Sequence, residues 1–159
     1  MKKFLSLLVL LTVFTSCEDD VKFNTPAVQG LKDNELWKAN KFTAIIGTDN
    51  SLTVTASNGI ETVVLKTASF SAGTYILGAD EVNKASYTLA ADGIEENYQT
   101  GSNLGSGQIV ISDKLTETDI NKGFITGTFS FNGVNDAGDI VYFQEGYFYK
   151  VKVINGGEQ

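Results

Sequence analysis

The sequence has no histidine and no arginine, and among its 159 residues cysteine, methionine, proline and tryptophan each occur once. One cysteine cannot close an intramolecular disulfide. Without imidazole or a second thiol, a tight zinc or copper site lacks its preferred nitrogen and sulfur ligands. A serine or cysteine nucleophile activated by histidine is excluded as well. No cofactor motif is present, and no cofactor and no metal site are expected. The missing arginine bears on partners. Twelve lysines stand against 19 acidic residues, a net charge of −7. The cationic footprint that phosphate backbones demand is absent, so nucleic acid is not an expected partner. Electrostatic adhesion to anionic lipid is disfavoured for the same reason. Hydrophobic residues make up 42% and charged residues 19%, with a mean hydropathy of −0.02. That is neither a disordered chain nor an integral membrane protein.

What is present begins with an address. Met1-Lys2-Lys3 precedes an apolar stretch over residues 4–14, followed by Thr15-Ser16-Cys17. A basic start, a short apolar run and a small residue at the break make a secretory signal, too short to cross a bilayer as a helix. The lone cysteine sits at the expected cleavage point. There it resembles the lipidated cysteine of a bacterial lipoprotein, cut between Ser16 and Cys17 by signal peptidase II. Cleavage removes Lys2 and Lys3 and leaves 10 − 19 = −9. Glu18-Asp19-Asp20 follows at once. It reads either as a solvated acidic tether or as a segment resembling the surface-export signal of Bacteroidota lipoproteins. The expected partition is a signal peptide over 1–16, a lipidated tether over 17–29, one β domain over 30–155 and a tail over 156–159. The mature length is one domain's worth. The expected location is the cell envelope, anchored by lipid on Cys17 in the outer membrane, facing the periplasm or the cell surface.

Beyond the tether the punctuation is regular. Asp49-Asn50, Asn58-Gly59, Asp92-Gly93 and Asn132-Gly133 fall between apolar runs, and Asn-Gly and Asp-Gly are strong hairpin-turn signals. The runs between them cover 42–48, 51–57, 60–70, 74–77, 84–91, 96–100, 108–112, 123–131 and 139–154. Leu52-Thr53-Val54-Thr55-Ala56 alternates with period two, as a half-buried strand does. Ile125, Gly127, Phe129 and Phe131 share one face, predicted to be the core face, with Thr126, Thr128 and Ser130 opposite. No segment of helical length carries a 3.6-residue period; residues 116–122 could make one turn of helix. The spacing predicts a single antiparallel β-sandwich or barrel of about nine or ten strands. The runs 123–131 and 139–154 should pair across the loop 132–138.

Candidate chemistry is sparse. The Gly-rich stretch from Gly101 to Gly107 is followed by a strand rather than a helix, so it reads as a flexible connector and not as a phosphate cradle. Asn132, Asn135, Asp136 and Asp139 carry oxygens that a hard cation accepts, without the spacing of an EF-hand loop; a long hairpin loop needs such residues anyway. Of the carboxylates, Glu95 and Glu96 are adjacent, Asp80-Glu81 lies in a turn, and Glu145 sits in the longest strand. If that strand is regular, Glu145 shares the face of Phe143 and Tyr147. If Gly146 marks a bulge, the faces swap and Glu145 becomes a rim residue. The aromatics Trp37, Tyr75, Tyr87, Tyr98, Tyr142, Tyr147 and Tyr149 suit half-buried strands. Core packing is the favoured reading; the alternative is a ligand site, for which Trp37, Tyr142, Tyr147 and Tyr149 are the candidates.

Several segments resemble a group of uncharacterised small lipoproteins of flavobacteria and related Bacteroidota that share a domain of unknown function. They are Ser16-Cys17-Glu18-Asp19-Asp20, Gln29-Gly30-Leu31-Lys32-Asp33 leading to Leu36-Trp37-Lys38-Ala39, and Gly73-Thr74-Tyr75-Ile76-Leu77-Gly78. Ile125-Thr126-Gly127-Thr128-Phe129-Ser130-Phe131 and Gly146-Tyr147-Phe148-Tyr149-Lys150-Val151 complete the set. The resemblance implies an all-β lipoprotein with no assigned enzymatic role, and it supplies no catalytic residues. Three functions remain open. The first is a lipid-anchored, non-enzymatic envelope domain that binds an envelope protein or serves structurally. The second is a barrel or sandwich that holds a small ligand or glycan through its Tyr-rich strands. The third is a carboxylate-based glycan hydrolase.

Overall fold

The computed structural model describes residues 27–156, and eleven strands make up most of them. They are β1 (Ala27–Lys32), β2 (Glu35–Lys38), β3 (Lys41–Ile46), β4 (Leu52–Ser57), β5 (Glu61–Thr67), β6 (Gly73–Leu77), β7 (Lys84–Ala91), β8 (Ile94–Gln99), β9 (Ser106–Ile111), β10 (Phe124–Val134) and β11 (Ile140–Asn155). A 3-10 helix covers Ile120–Lys122, within the single turn expected at 116–122. The nine expected runs are β3 to β11. The two further strands, β1 and β2, correct the count of nine or ten. The first of them, β1, begins at Ala27. Short and weakly alternating, they give little periodic signal; β1 is fixed by its long-range pairing with β11.

The long hairpin β10–β11 organises everything else. One edge of β11 carries β10. The other carries β1 and then, at Val153, the parallel strand β3. Likewise β10 carries β9 and then, at Val134, the strand β8. The result is one sheet folded into two layers, β2-β1-β11-β10-β9-β6 and β3-β4-β5-β7-β8. The layers join at both corners, so β11, β3, β4, β5, β7, β8 and β10 form a closed circuit. Sandwich and barrel are thus two views of one object, a flattened barrel. Closure removes the exposed edges that an open sheet would present there.

The core lies between the layers. Phe131, Phe143 and Phe148 are fully buried, and the rings of Phe131 and Phe143 stack at 4.9 Å. Tyr87 of β7 reaches Phe143 of β11 across the interior at 5.5 Å. Ile125, Phe129 and Phe131 are buried while Thr128 is exposed, as the alternation predicts. Two glycines make room for rings directly opposite them. Gly127 pairs with Phe148 and Phe129 pairs with Gly146, so each ring lies over the glycine of the other strand. Any side chain on Gly127 would also collide with the carbonyl of Val110. A further glycine corrects a turn assignment. Asn132-Gly133 lies inside β10, not in the hairpin turn, because strand β8 approaches so closely there that a Cβ on Gly133 would sit 3.2 Å from the Gln99 nitrogen. The loop that does turn is closed by Asn135, whose side-chain oxygen accepts the amides of Ala137 and Asp139.

Two irregularities break the alternation of β11. Between Phe143 and Gly146 the register with both β1 and β10 shifts by one residue, with Glu145 in the left-handed region at φ 49°. Between Phe148 and Val151 it shifts again, with Lys150 at φ 46°. The first shift settles the open question about Glu145. The bulge falls one residue before Gly146, Gly146 faces the core and Glu145 is exposed. The second has no glycine to announce it.

Candidate functional site

The outer face of the β6-β9-β10-β11 layer carries an open groove of about 1050 Å³. Its floor is a cross-strand row, because register places Thr74 beside Val110, Val110 beside Thr128 and Thr128 beside Tyr147. Four strands at ~4.8 Å spacing make that row about 14 Å long. A shallower depression of about 250 Å³ continues past Tyr147 towards Ser130 and Glu145.

One wall is the segment that follows β9. Ser112 Oγ donates to Glu117 Oε2 at 2.7 Å and Lys114 Nζ donates to Glu117 Oε1 at 3.1 Å. These hydrogen bonds, from Ser112 first and Lys114 second, hold the Glu117 carboxyl below its usual pKa. Thr126 pins the wall to the sheet. This buried residue is on the polar face of β10, and its hydroxyl donates to the Glu117 carbonyl at 2.5 Å while accepting the Lys150 amide at 2.9 Å. Its own amide donates to the Thr118 hydroxyl. A buried hydroxyl with both partners satisfied fixes a loop more firmly than an exposed one would.

Tyr147, Tyr149 and Lys150 close the other end. In unbroken alternation residue 150 would turn inward with Gly146 and Phe148; the second bulge turns it outward, as bulges re-aim side chains. The Lys150 ammonium stands 5.4 Å from the ring centroids of both Phe124 and Tyr149, within cation–π range. Burial raises the pKa of the Tyr147 phenol, and Gln29 on the neighbouring strand acts in the opposite direction.

The four aromatic candidates separate. Tyr147 and Tyr149 line the groove together. Trp37 does not belong with them: it is 3% exposed and packs edge-on against Phe143 at 5.7 Å, so its inward face on β2 makes it core. Tyr142 also stands apart, exposed at the far end of β11, where its amide donates to Asp33. Ser16, Cys17, Glu18, Asp19 and Asp20 lie outside the described residues. Among the described residues no group of three or more acidic or thiol side chains gathers in a way that could hold a metal ion.

The sequence reading missed Lys114, Glu117, Thr126 and Lys150. A signal for the last was available: the core residues Phe148 and Val151 are three apart in a strand, which requires an extra residue between them. A second polar cluster was missed as well. Lys32 of β1 meets Glu61 of β5 at 2.5 Å, and the Tyr87 hydroxyl donates to the same carboxylate oxygen at 2.7 Å. Asn58 donates to the other oxygen. Burial and the bond to Glu61 push the Tyr87 phenol up to about 12. Burial opposes ionisation of Glu61, but its hydrogen bonds from Lys32, Tyr87 and Asn58 prevail and hold its pKa down. Burial likewise works against the charge on Lys32, yet its bonds to Glu61 and Tyr87 raise its pKa. The cluster ties the two layers together.

Fold and groove together define an all-β domain with a concave, mixed polar and aromatic surface outside a filled core. Residues 24–152 match the model of the Domain of unknown function (DUF6252), so the chain belongs to that family. No curated protein and no solved structure matches it.

Proposed function

We propose that the chain is a lipid-anchored envelope protein whose β domain binds a saccharide in the outer groove without catalysing its turnover. The observation that carries the reading is the composition of the groove. Threonine hydroxyls along the floor and two tyrosines at one end suit a ligand that is apolar on its ring faces and hydroxylated at its edges. An acyl chain would leave those hydroxyls without partners. The filled interior supports a site on the outside of the barrel rather than within it. Against catalysis stands Glu117, whose lowered pKa is the reverse of what a general acid needs.

Anchoring fits the same arrangement. Ala27 pairs with Tyr149 at the end of the groove. Nine residues lie between it and Cys17, and the ten residue steps reach at most about 36 Å. A lipid on Cys17 would hold the groove near the membrane surface. Cys17→Ser should release the chain from membranes with its fold intact; normal retention in a detergent-partition assay overturns the anchor. Thr128→Trp, a substitution at an exposed floor position, should abolish saccharide binding while leaving the melting temperature unchanged. Binding that survives it places the ligand elsewhere.

A further inference from the structure

Resting on the saccharide reading of the groove, we propose that its ligand is an acidic sugar whose carboxylate is received by the ammonium of Lys150. Asp113 and Glu117 are the acids at the groove, and neither forms an ion pair with Lys150. The Glu117 carboxylate is already engaged by Ser112 and Lys114. Among the described residues no carboxylate lies within ion-pair distance of Lys150. Its neighbours are the faces of Phe124 and Tyr149. These rings steer the ammonium, and the Glu117 carboxylate acts on its charge only from beyond ion-pair distance.

The position is built rather than incidental. Lys150 is a non-glycine residue in left-handed backbone, a conformation that persists only where the surroundings impose it. Here the Thr126 hydroxyl, itself bonded to the groove wall, holds the Lys150 amide. The same contact thus fixes the wall and the cation. The chain as a whole is acidic, so an anionic ligand is repelled from most of the surface and admitted beside Lys150. A lysine ammonium is a compact point charge with three rotatable donors, which a single carboxylate can meet without a bidentate fork. The tyrosines and threonines beside it would hold the sugar ring.

The test is calorimetric titration of the full chain, purified in detergent. Sialyllactose and trigalacturonic acid serve as acidic probes, lactose and maltotriose as neutral ones. An acidic probe should bind about tenfold or more tightly than its neutral counterpart, the range of one hydrogen bond to a charged group. Lys150→Met should abolish the preference, so that acidic and neutral probes bind that variant alike, and Lys150→Arg should retain it. Equal binding of acidic and neutral probes overturns the acidic specificity and leaves the saccharide reading standing. If none of the four binds, both fall. Should Lys150→Met fail to fold, salt decides: an acidic affinity that does not weaken as ionic strength rises overturns the claim.

Discussion

The reciprocal glycine–phenylalanine pairs make a quantitative prediction. A methyl group on Gly146 would sit 2.5–2.7 Å from three atoms of the Phe129 ring, closer than carbon atoms tolerate. Gly146→Ala must therefore displace that ring from a well-packed core, at a cost of about 1–3 kcal/mol. Phe129→Ala removes the ring and leaves a cavity, at about 3–5 kcal/mol. If the two substitutions were independent, the double variant would lose roughly 4–8 kcal/mol, most of the margin of an ordinary domain. They are not independent. Once the ring is gone, the methyl has space, partly refills the cavity and lowers the entropy of the unfolded chain by about 0.4–1 kcal/mol. The double variant should be no less stable than Phe129→Ala alone. The coupling energy should then exceed about 1 kcal/mol, well above the ~0.3–0.5 kcal/mol scatter of independent sites. Thr128→Ala, on the exposed face beside them, should change stability by less than about 0.5 kcal/mol. Urea melts of the four variants and the parent, with m-values compared, measure the cycle. Additive losses, or equal losses in Thr128→Ala and Phe129→Ala, would refute the face assignment and the register of the hairpin.

The polar cluster between the layers gives a second expectation. Lys32→Met should cost about 2–3 kcal/mol, less than the ~3–5 kcal/mol of a fully buried pair, because the Lys32 side chain keeps 26% of its exposure; a loss under about 0.5 kcal/mol in a urea melt would show that the pair fastens nothing. Its pH dependence has a definite sign. Glu61 is held below its ordinary value of 4.5 in the folded state, so its contribution is full above that value and is lost as pH falls through the lower folded pKa. Glu61→Gln should flatten the acid limb of the stability curve, and an unchanged limb would contradict the geometry. At the other extreme, Tyr87 ionises more readily in the unfolded chain, so stability should fall as pH rises from 10 towards about 12; Tyr87→Phe should lessen that fall in a thermal melt and leave the share due to Lys32, whose raised pKa acts in the same direction. Chelator should leave Tm unchanged, and a drop of several degrees would mean that Asp136 and Asp139 hold a structural cation.

Strand identity was local and therefore legible. Alternation such as that of Leu52 to Ser57 matches its burial residue by residue, and Asp92-Gly93 adopts the paired positive φ values of a tight hairpin turn, 52° and 82°. The face of β10 could also be read directly, because a strand's side chains alternate whatever its neighbours do. The candidate site was legible only in part, through Tyr147 and Tyr149. Asn132-Gly133 looked like a turn and is strand, because local preference yielded to the approach of β8. Trp37 looked like a ligand platform and is core, because which face of a short edge strand turns inward depends on what the strand pairs with.

The sequence by itself determined the all-β class, nine of the strands and the hairpin at the end of the chain, all of which follow from periodicity and turn chemistry within a few residues. Only the tertiary structure decided the closure of the two layers, the meeting of Lys32 with Glu61, and the groove. Each depends on registers between strands far apart in sequence, and two one-residue bulges in β11 reset those registers. One extra residue in a strand sends every later side chain to the opposite face. That is how Glu145 reaches the rim and Lys150 reaches the groove.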